Sequence, residues 1–243
     1  MRIVFFGSSH GVPDPNRKCS STMIEVNGTR YFIDMGTQSI EQLVTRGIPV
    51  DTVKAIFVTH MHGDHTNGLL SFADLCSWYF LKANPEFYLP GDTEKTREGM
   101  AAWLACNGQE LRPFKFGHVD DGFVYEDENI KVSAFRTQHI GQSFGYLVEA
   151  EGKRVYFSGD VKTPPTQDLP LHVFDEGLDL AIMELAHFWA DEKYLPVFKG
   201  RDNIKQICIN HFSEFRQASG YKFRELLPEI PVYFAYDGLE FNL

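Results

Sequence analysis

The chain has 243 residues, 43% hydrophobic and 14% aromatic, with 21 Phe, enough for an aromatic-rich core in one large domain or two fused halves. Its formal charge of -10, from 23 Lys plus Arg against 33 Asp plus Glu, disfavours nucleic-acid binding unless a local basic patch or bound metal offsets it. No stretch approaches the ~18 apolar residues of a membrane span, and MRIVFFGSSHGVP is too short for a signal-peptide core, so neither is expected. Cys19, Cys76, Cys106 and Cys208 are scattered without a CxxC pair, as in reduced thiols of a cytoplasmic protein.

Strand-like runs open the chain: RIVFFG, TMIEV, RYFID and AIFVTH, the second and third separated by the turn VNGTR. Helical patterns cover 38–47, 67–83 and 93–107. The run GLLSFADLCSWYFLKA is apolar nearly all round, which suits the core or a homodimer contact, and its Trp78 and Tyr79 could wall a pocket. IKVSAF, FGYLVEA and RVYFSGD follow as strands, then a helix over 165–175, LAIMEL, QICIN, a helix over 213–227 and VYFAY. The long segment HFWADEKYLPVFKGRDN reads as a charged loop or lid whose Lys193, Lys199 and Arg201 could meet an anion. Strands alternating with helices give an α/β chain.

One stretch carries unusual chemistry. VTHMHGDH places His60, His62, Asp64 and His65 directly after a strand, although the whole chain has nine histidines. Later strand ends deliver His139, Asp160 and His211. Any one of these is ordinary strand-end polarity; seven together point to metal ligation. Gly63 lets the backbone turn, so His60 and His62 can face one ion and Asp64 and His65 another. His139 would complete the first site, His211 the second, and Asp160 would bridge with its two oxygens. A closed structural zinc site would use cysteine, and this set has none. Two divalent ions are implied, Zn²⁺ suiting the donors, with Mn²⁺ or Fe²⁺ as alternatives.

In this order the residues of THMHGDH, His139, Asp160 and His211 resemble the metallo-β-lactamase superfamily over nearly the whole chain, as one hydrolase domain spanning 1–243. The resemblance implies a four-layer αββα sandwich of two similar halves with a two-metal hydrolytic site at one edge of the sheets. FFGSSHGVPDPNRKCSST, YFIDMGTQ, TQHIGQSFGYLVE, NHFSEFR and AYDGLEF are similar to motifs of the ribonuclease Z branch. That branch implies Asp34 as a brace of the ligand loop, with Asp237 a further supporting residue.

Two departures stand out. The family's arm that grips transfer RNA lies between the residues matching His139 and Asp160, which here are 21 apart and joined by a simple hairpin. Transfer RNA is therefore a doubtful partner, and a small anionic ester is the expected substrate. In the family's His-Glu-Ala-Thr motif the histidine assists the leaving group; here LAIMELAHF matches the glutamate with Glu184 and puts Met183 at the histidine. His187 could do that work from a shifted position, or be a surface histidine.

The expected function is a two-metal phosphodiesterase in which a metal-bridging hydroxide attacks phosphorus. Asp64 would hold its ion and accept a hydrogen bond from the nucleophile, while Glu184 and His187 would help protonate the leaving oxygen. The alternatives are hydrolysis of an aryl sulfate, lactone or thioester, a ribonuclease working without the arm, and a binding module that retains the metals.

Overall fold

The computed structural model describes residues 1–12, 14–162 and 168–243. The first sheet holds β1 (Arg2–Gly7), β2 (Ser21–Val26), β3 (Thr29–Ile33), β4 (Val53–Phe57), β5 (Glu86–Leu89) and β6 (Phe116–His118). The second holds β7 (Gly122–Glu126), β8 (Lys131–Arg136), β9 (Phe144–Ala150), β10 (Lys153–Phe157), β11 (Leu180–Leu185), β12 (Ile207–Phe212) and β13 (Val232–Phe234). The last strand, β14 (Glu240–Asn242), returns to pair with β1, giving the orders β14-β1-β2-β3-β4-β5-β6 and β13-β12-β11-β10-β9-β8-β7. The helices are α1 (Ser39–Thr45), α2 (Gly63–Trp78), α3 (Thr93–Cys106), α4 (Leu171–Asp175), α5 (Ala190–Lys193), α6 (Leu195–Phe198) and α7 (Glu214–Leu226).

Burial on both faces of a strand explains the near-continuous apolar runs. In β1, Ile3 and Phe5 join the core between the sheets, while Val4 and Phe6 join a second core beneath α1 and α2. In β11, Leu180 and Ile182 face the middle, and Ala181, Met183 and Leu185 face the opposite outer layer. This is the four-layer αββα sandwich that the resemblance implied, with three apolar layers between four layers of structure. Tight turns set the antiparallel parts: Asn27-Gly28 (φ 51° and 78°) closes β2–β3, and Glu151-Gly152 (φ 52° and 71°) closes β9–β10. Between Arg136 and Lys153 the chain runs through one short loop and β9, so no arm projects there.

Each sheet also has a parallel half. β3, β4, β5 and β6 are parallel neighbours, as are β10, β11, β12 and β13. Their carboxyl ends are where functional groups collect.

Several expectations are corrected. The helix expected over 67–83 starts at Gly63 and ends at Trp78, so Asp64 and His65 ride on its first turn. It buries Leu69, Phe72, Ala73 and Cys76, whereas Trp78 and Tyr79 lie exposed about 20 Å along the axis from Asp64, where they line a cavity with Ile40, Val44 and Leu75, away from the ligand run. Of the helix expected over 165–175, residues 165–167 lie outside the described residues, and α4 covers only Leu171–Asp175 of the remainder. The expected charged lid instead contains α5 and α6, packed down through Phe188, Ala190, Tyr194, Val197 and Phe198. Its Arg201 is held by Asp175 and by the Val197 carbonyl.

Candidate metal centre

After β4 ends at Phe57 the chain continues extended to His62, then enters α2. This brings His60 and His62 beside His139, which follows β8, and Asp160, which follows β10. His62 Nδ1 lies 2.9 Å from His60 Nε2 and 3.3 Å from His139 Nε2. Asp160 Oδ2 lies 3.7 Å from His60 Nε2 and 3.5 Å from His139 Nε2. The first turn of α2 contributes the adjoining group. Asp64 Oδ2 is 3.1 Å from His211 Nε2 and 3.3 Å from His65 Nε2, and those two nitrogens are 3.2 Å apart. The other oxygen of Asp160, Oδ1, is 3.5 Å from His65 Nε2 and 3.3 Å from His211 Nδ1. All seven residues singled out in the sequence are thus in two adjoining groups, with Asp160 between them.

The strand geometry aims His211. β11 and β12 pair Glu184 with Asn210 and then Leu185 with Phe212, so His211 is the extra residue of a bulge. Its φ of 48° is left-handed, an uncommon conformation held here by the Ser8 carbonyl, which accepts the His211 N–H at 3.1 Å.

The donor set fits divalent cations. Imidazole nitrogens face one another at hydrogen-bond distance, and the buried Asp160 Oδ1 and His211 Nδ1 have no hydrogen-bond partner. Each such orphan costs about 1–3 kcal/mol unless something satisfies it. Charge tells the same story. Burial and the facing His65 pull the His60 pKa down to about 2. Burial also brings His139 down to about 4, against the pull of Asp160, with His187 and His62 lowering it further. Burial opposes ionisation of Asp64, yet hydrogen bonds from His211 and His65 hold its pKa far below the usual range. His65 is fully enclosed, which disfavours its charge, but Asp34 and Asp160 outweigh that and raise it well above normal. Neutral imidazoles and ionised carboxylates are the ligand forms of these side chains, so His60, His139 and Asp64 already favour them, whereas a cation would take the place of the proton that Asp34 and Asp160 draw to His65.

The supporting residues explain why the groups hold their places. Asp34 Oδ2 lies 2.7 Å from His65 Nδ1, and its Oδ1 accepts the Thr59 N–H at 2.8 Å. Thr59 Oγ sits 3.1 Å from His60 Nδ1 and 3.3 Å from His65 Nδ1. Asp237 reaches the site at one remove. It accepts the N–H and hydroxyl of Ser8 at 3.1 and 2.9 Å, and Ser8 in turn holds His211. Sequence reasoning missed Thr59 and Ser8; the threonine's position directly before the ligand run was the available signal.

Glu184 is buried and its carboxylate is occupied. It accepts backbone N–H groups from Val161 at 2.9 Å and Ala186 at 2.6 Å, and meets His187 Nδ1 at 2.8 Å. His187 is therefore no stray surface residue: its ring lies 4.6 Å from that of His139, and its Nε2 is 3.9 Å from Asp160 Oδ2. Burial lowers the His187 pKa, but Glu184 and Asp160 more than compensate and raise it. His187 is about a third exposed (32%) and His62 is exposed, which marks the open side of the centre.

Comparison with known proteins gives a consistent picture. A family model described as anti-Pycsar protein Apyc1 matches residues 1–176. Ribonuclease Z of Listeria monocytogenes serotype 4b is 30% identical over 158 residues, covering 63% of this chain and 51% of the relative. The chain spans about half the length of the curated relatives it matches. Two solved structures share the fold. Human tRNase Z, short form, gives a TM-score of 0.75 at 22% identity, covering 100% of this chain and 99% of that one. The metallo-β-lactamase fold protein YhfI of Bacillus subtilis gives 0.77 at 14% identity, covering 99% of each.

Proposed function

The chain belongs to the anti-Pycsar protein Apyc1 family, within the ribonuclease Z-like branch of the metallo-β-lactamase superfamily, and from that premise we propose that it is a two-metal phosphodiesterase. The observation that carries the reading is Asp160, whose two oxygens face two separate groups of ligands. His60, His62 and His139 would hold one ion, Asp64, His65 and His211 the other, and Asp160 would touch both. When bound, such a pair supplies an activated water and positive charge for the phosphoryl oxygens. Zn²⁺ suits these donors, and Mn²⁺ or Fe²⁺ fits them too.

The chain's own residues divide the remaining work. Asp34 and Thr59 fix the rings of His65 and His60, so that their Nε2 atoms face inward. Asp64 is ionised and can accept a hydrogen bond from the nucleophile as well as hold its ion. Glu184 orients His187 through Nδ1, leaving Nε2 directed to the centre. We assign to His187 the delivery of a proton to the leaving oxygen, with Glu184 keeping its imidazole protonated.

The substrate we propose is a small anionic phosphodiester. The ribonuclease Z relatives support RNA as a second reading, while the -10 charge and the plain β9–β10 hairpin weigh against a long polyanion such as transfer RNA. The test is hydrolysis of bis(p-nitrophenyl) phosphate by zinc- or manganese-loaded protein, beside an aryl sulfate and a lactone. Turnover of the phosphodiester that disappears in Asp64→Ala supports the reading. Turnover of only the sulfate or the lactone overturns it.

A further inference from the structure

His139 and Asp160 stand on two loops, one after β8 and one after β10, and a further acidic side chain joins those loops. Asp168, shortly before α4, is buried. Its Oδ1 accepts the Gln138 N–H at 3.1 Å, and its Oδ2 accepts the Lys162 N–H at 3.2 Å. One oxygen therefore holds the residue before His139, and the other holds the second residue after Asp160. Two buried hydroxyls link the same loops. Thr137 Oγ donates to the Asp160 carbonyl at 3.0 Å. That uses its one proton, so at 2.8 Å it accepts from Ser143 Oγ. Ser143 Oγ in turn accepts the His139 N–H at 3.3 Å, and the Thr137 N–H donates to the Ser143 carbonyl at 2.8 Å.

Little else fixes the His139 loop. Gln138, Gly141 and Gln142 are exposed, and no side chain of 138–142 belongs to an apolar core. Outside this network, Gln142 accepts the Gly91 N–H at 2.6 Å, and Arg136 reaches the Gly141 carbonyl at 3.4 Å. His60, by contrast, follows a buried strand and leans on Thr59. Asp168 is also hard to bury. Among the described residues no cationic side chain pairs with it, and burial raises its pKa against the two N–H bonds that favour the charge. Such a carboxylate is costly unless its hydrogen bonds do what an apolar side chain cannot. Here they fix the separation of two ligands whose facing atoms, His139 Nε2 and Asp160 Oδ2, are 3.5 Å apart.

We propose that Asp168 is a positioning residue of the metal centre: through the Gln138 and Lys162 N–H groups it sets His139 against Asp160, and so governs the ion held by His60, His62 and His139. This rests on the two-ion reading and adds the residue that joins two of its ligand loops. The effect falls mainly on one ion, because His65 and His211 are placed by Asp34 and by the Ser8 carbonyl. Partners at this remove from an ion change its affinity about 10–100-fold.

Uptake of Co²⁺ by the full chain, followed by visible absorption and by competition with a chelator, tests this without turnover. His211→Ala leaves only the His60, His62 and His139 group complete, and His139→Ala only the other, so each ion is read alone. Asp168→Asn keeps the shape and one acceptor oxygen but sets an NH2 against the second N–H. In the His211→Ala background it should weaken the remaining ion about 10–100-fold and shift its absorption band. In the His139→Ala background it should change affinity by no more than about twofold, as for independent sites. Thr137→Val should repeat the pattern with Asp168 intact, and Thr137→Ser, which keeps the hydroxyl, should restore wild-type affinity. If Asp168→Asn does not fold, the Thr137 pair decides. Equal weakening of both ions, or of neither, overturns the assignment and leaves the two-ion reading in place. Wild-type protein that takes up fewer than two Co²⁺ overturns that reading and this assignment together.

Discussion

Asp34 and His65 are 31 residues apart in sequence, yet Asp34 Oδ2 lies 2.7 Å from His65 Nδ1 in a site closed to water. The contact fixes which nitrogen carries the proton and leaves Nε2 to face Asp64 and His211. Loss of such a partner weakens metal binding by about 10–100-fold. Asp34→Ala should do this to the group of Asp64, His65 and His211 more than to the group of His60, His62 and His139. Competition with a chelator, read for each ion, checks it; equal weakening of both would contradict the assignment.

The loop carrying Asp34 packs against the start of α2 with no room to spare. A Cβ on Gly36 would stand 1.6 Å from the Asp64 carbonyl oxygen, and one on Gly68 would stand 1.9 Å from that of Thr37. Gly36→Ala should cost about 1–3 kcal/mol or more through overpacking, and displace Asp64. Gly99, on α3, has nothing within 4 Å of its added Cβ, so Gly99→Ala should be neutral or stabilise by up to about 1 kcal/mol. Urea denaturation of the two variants gives the comparison.

If His187 delivers the leaving-group proton, its loss should depend on the leaving group. His187→Ala should slow esters with poor, alkoxide-like leaving groups by about 10²–10⁴-fold, and p-nitrophenyl esters far less, because p-nitrophenolate departs without a proton. Equal slowing across a leaving-group series would point to positioning and remove the acid role. Glu184→Gln should show a weaker form of the same pattern, since Glu184 acts through His187.

Asp127 ties the two sheets at the far side of the core. Its Oδ2 accepts the hydroxyls of Tyr31 from β3 and Tyr125 from β7, each at 2.7 Å. Burial raises its pKa, but those bonds, with backbone N–H groups of Ile130 and Asn129, outweigh burial and lower it. A depressed carboxyl stabilises the fold above its unfolded pKa of about 3.9, and that contribution fades as pH falls through the folded value. The stability gap between the wild type and Asp127→Asn should therefore be largest above about pH 5 and shrink on acidification below pH 4. Urea midpoints across pH 3–6 measure it; a gap independent of pH would mean that the carboxylate's charge plays no part.

The apolar runs of β1, β2, β9 and β11 were legible because these strands are buried on both faces, which leaves long unbroken hydrophobic stretches. The strands β5, β6, β7 and β14 escaped because they are short, three to five residues, and mostly at or near sheet edges where polar residues break the pattern. For the site, the dense run of His60 to His65 and the later strand ends gave the seven grouped residues. The start of α2 was misplaced because His62 and Gly63 look like loop, and only the fold shows the helix beginning there. The bulge that turns His211 inward has no local sequence mark, since Asn210, His211 and Phe212 read as a plain strand.

The central claim is that the seven residues hold two ions joined by Asp160. Metal content of protein purified in zinc- or manganese-supplemented medium, followed by anomalous diffraction, tests it directly. The account predicts two ions per chain about 3.5–4 Å apart, one against His60, His62 and His139 and one against Asp64, His65 and His211, with Asp160 touching both. A single ion, or two that do not share Asp160, would contradict it.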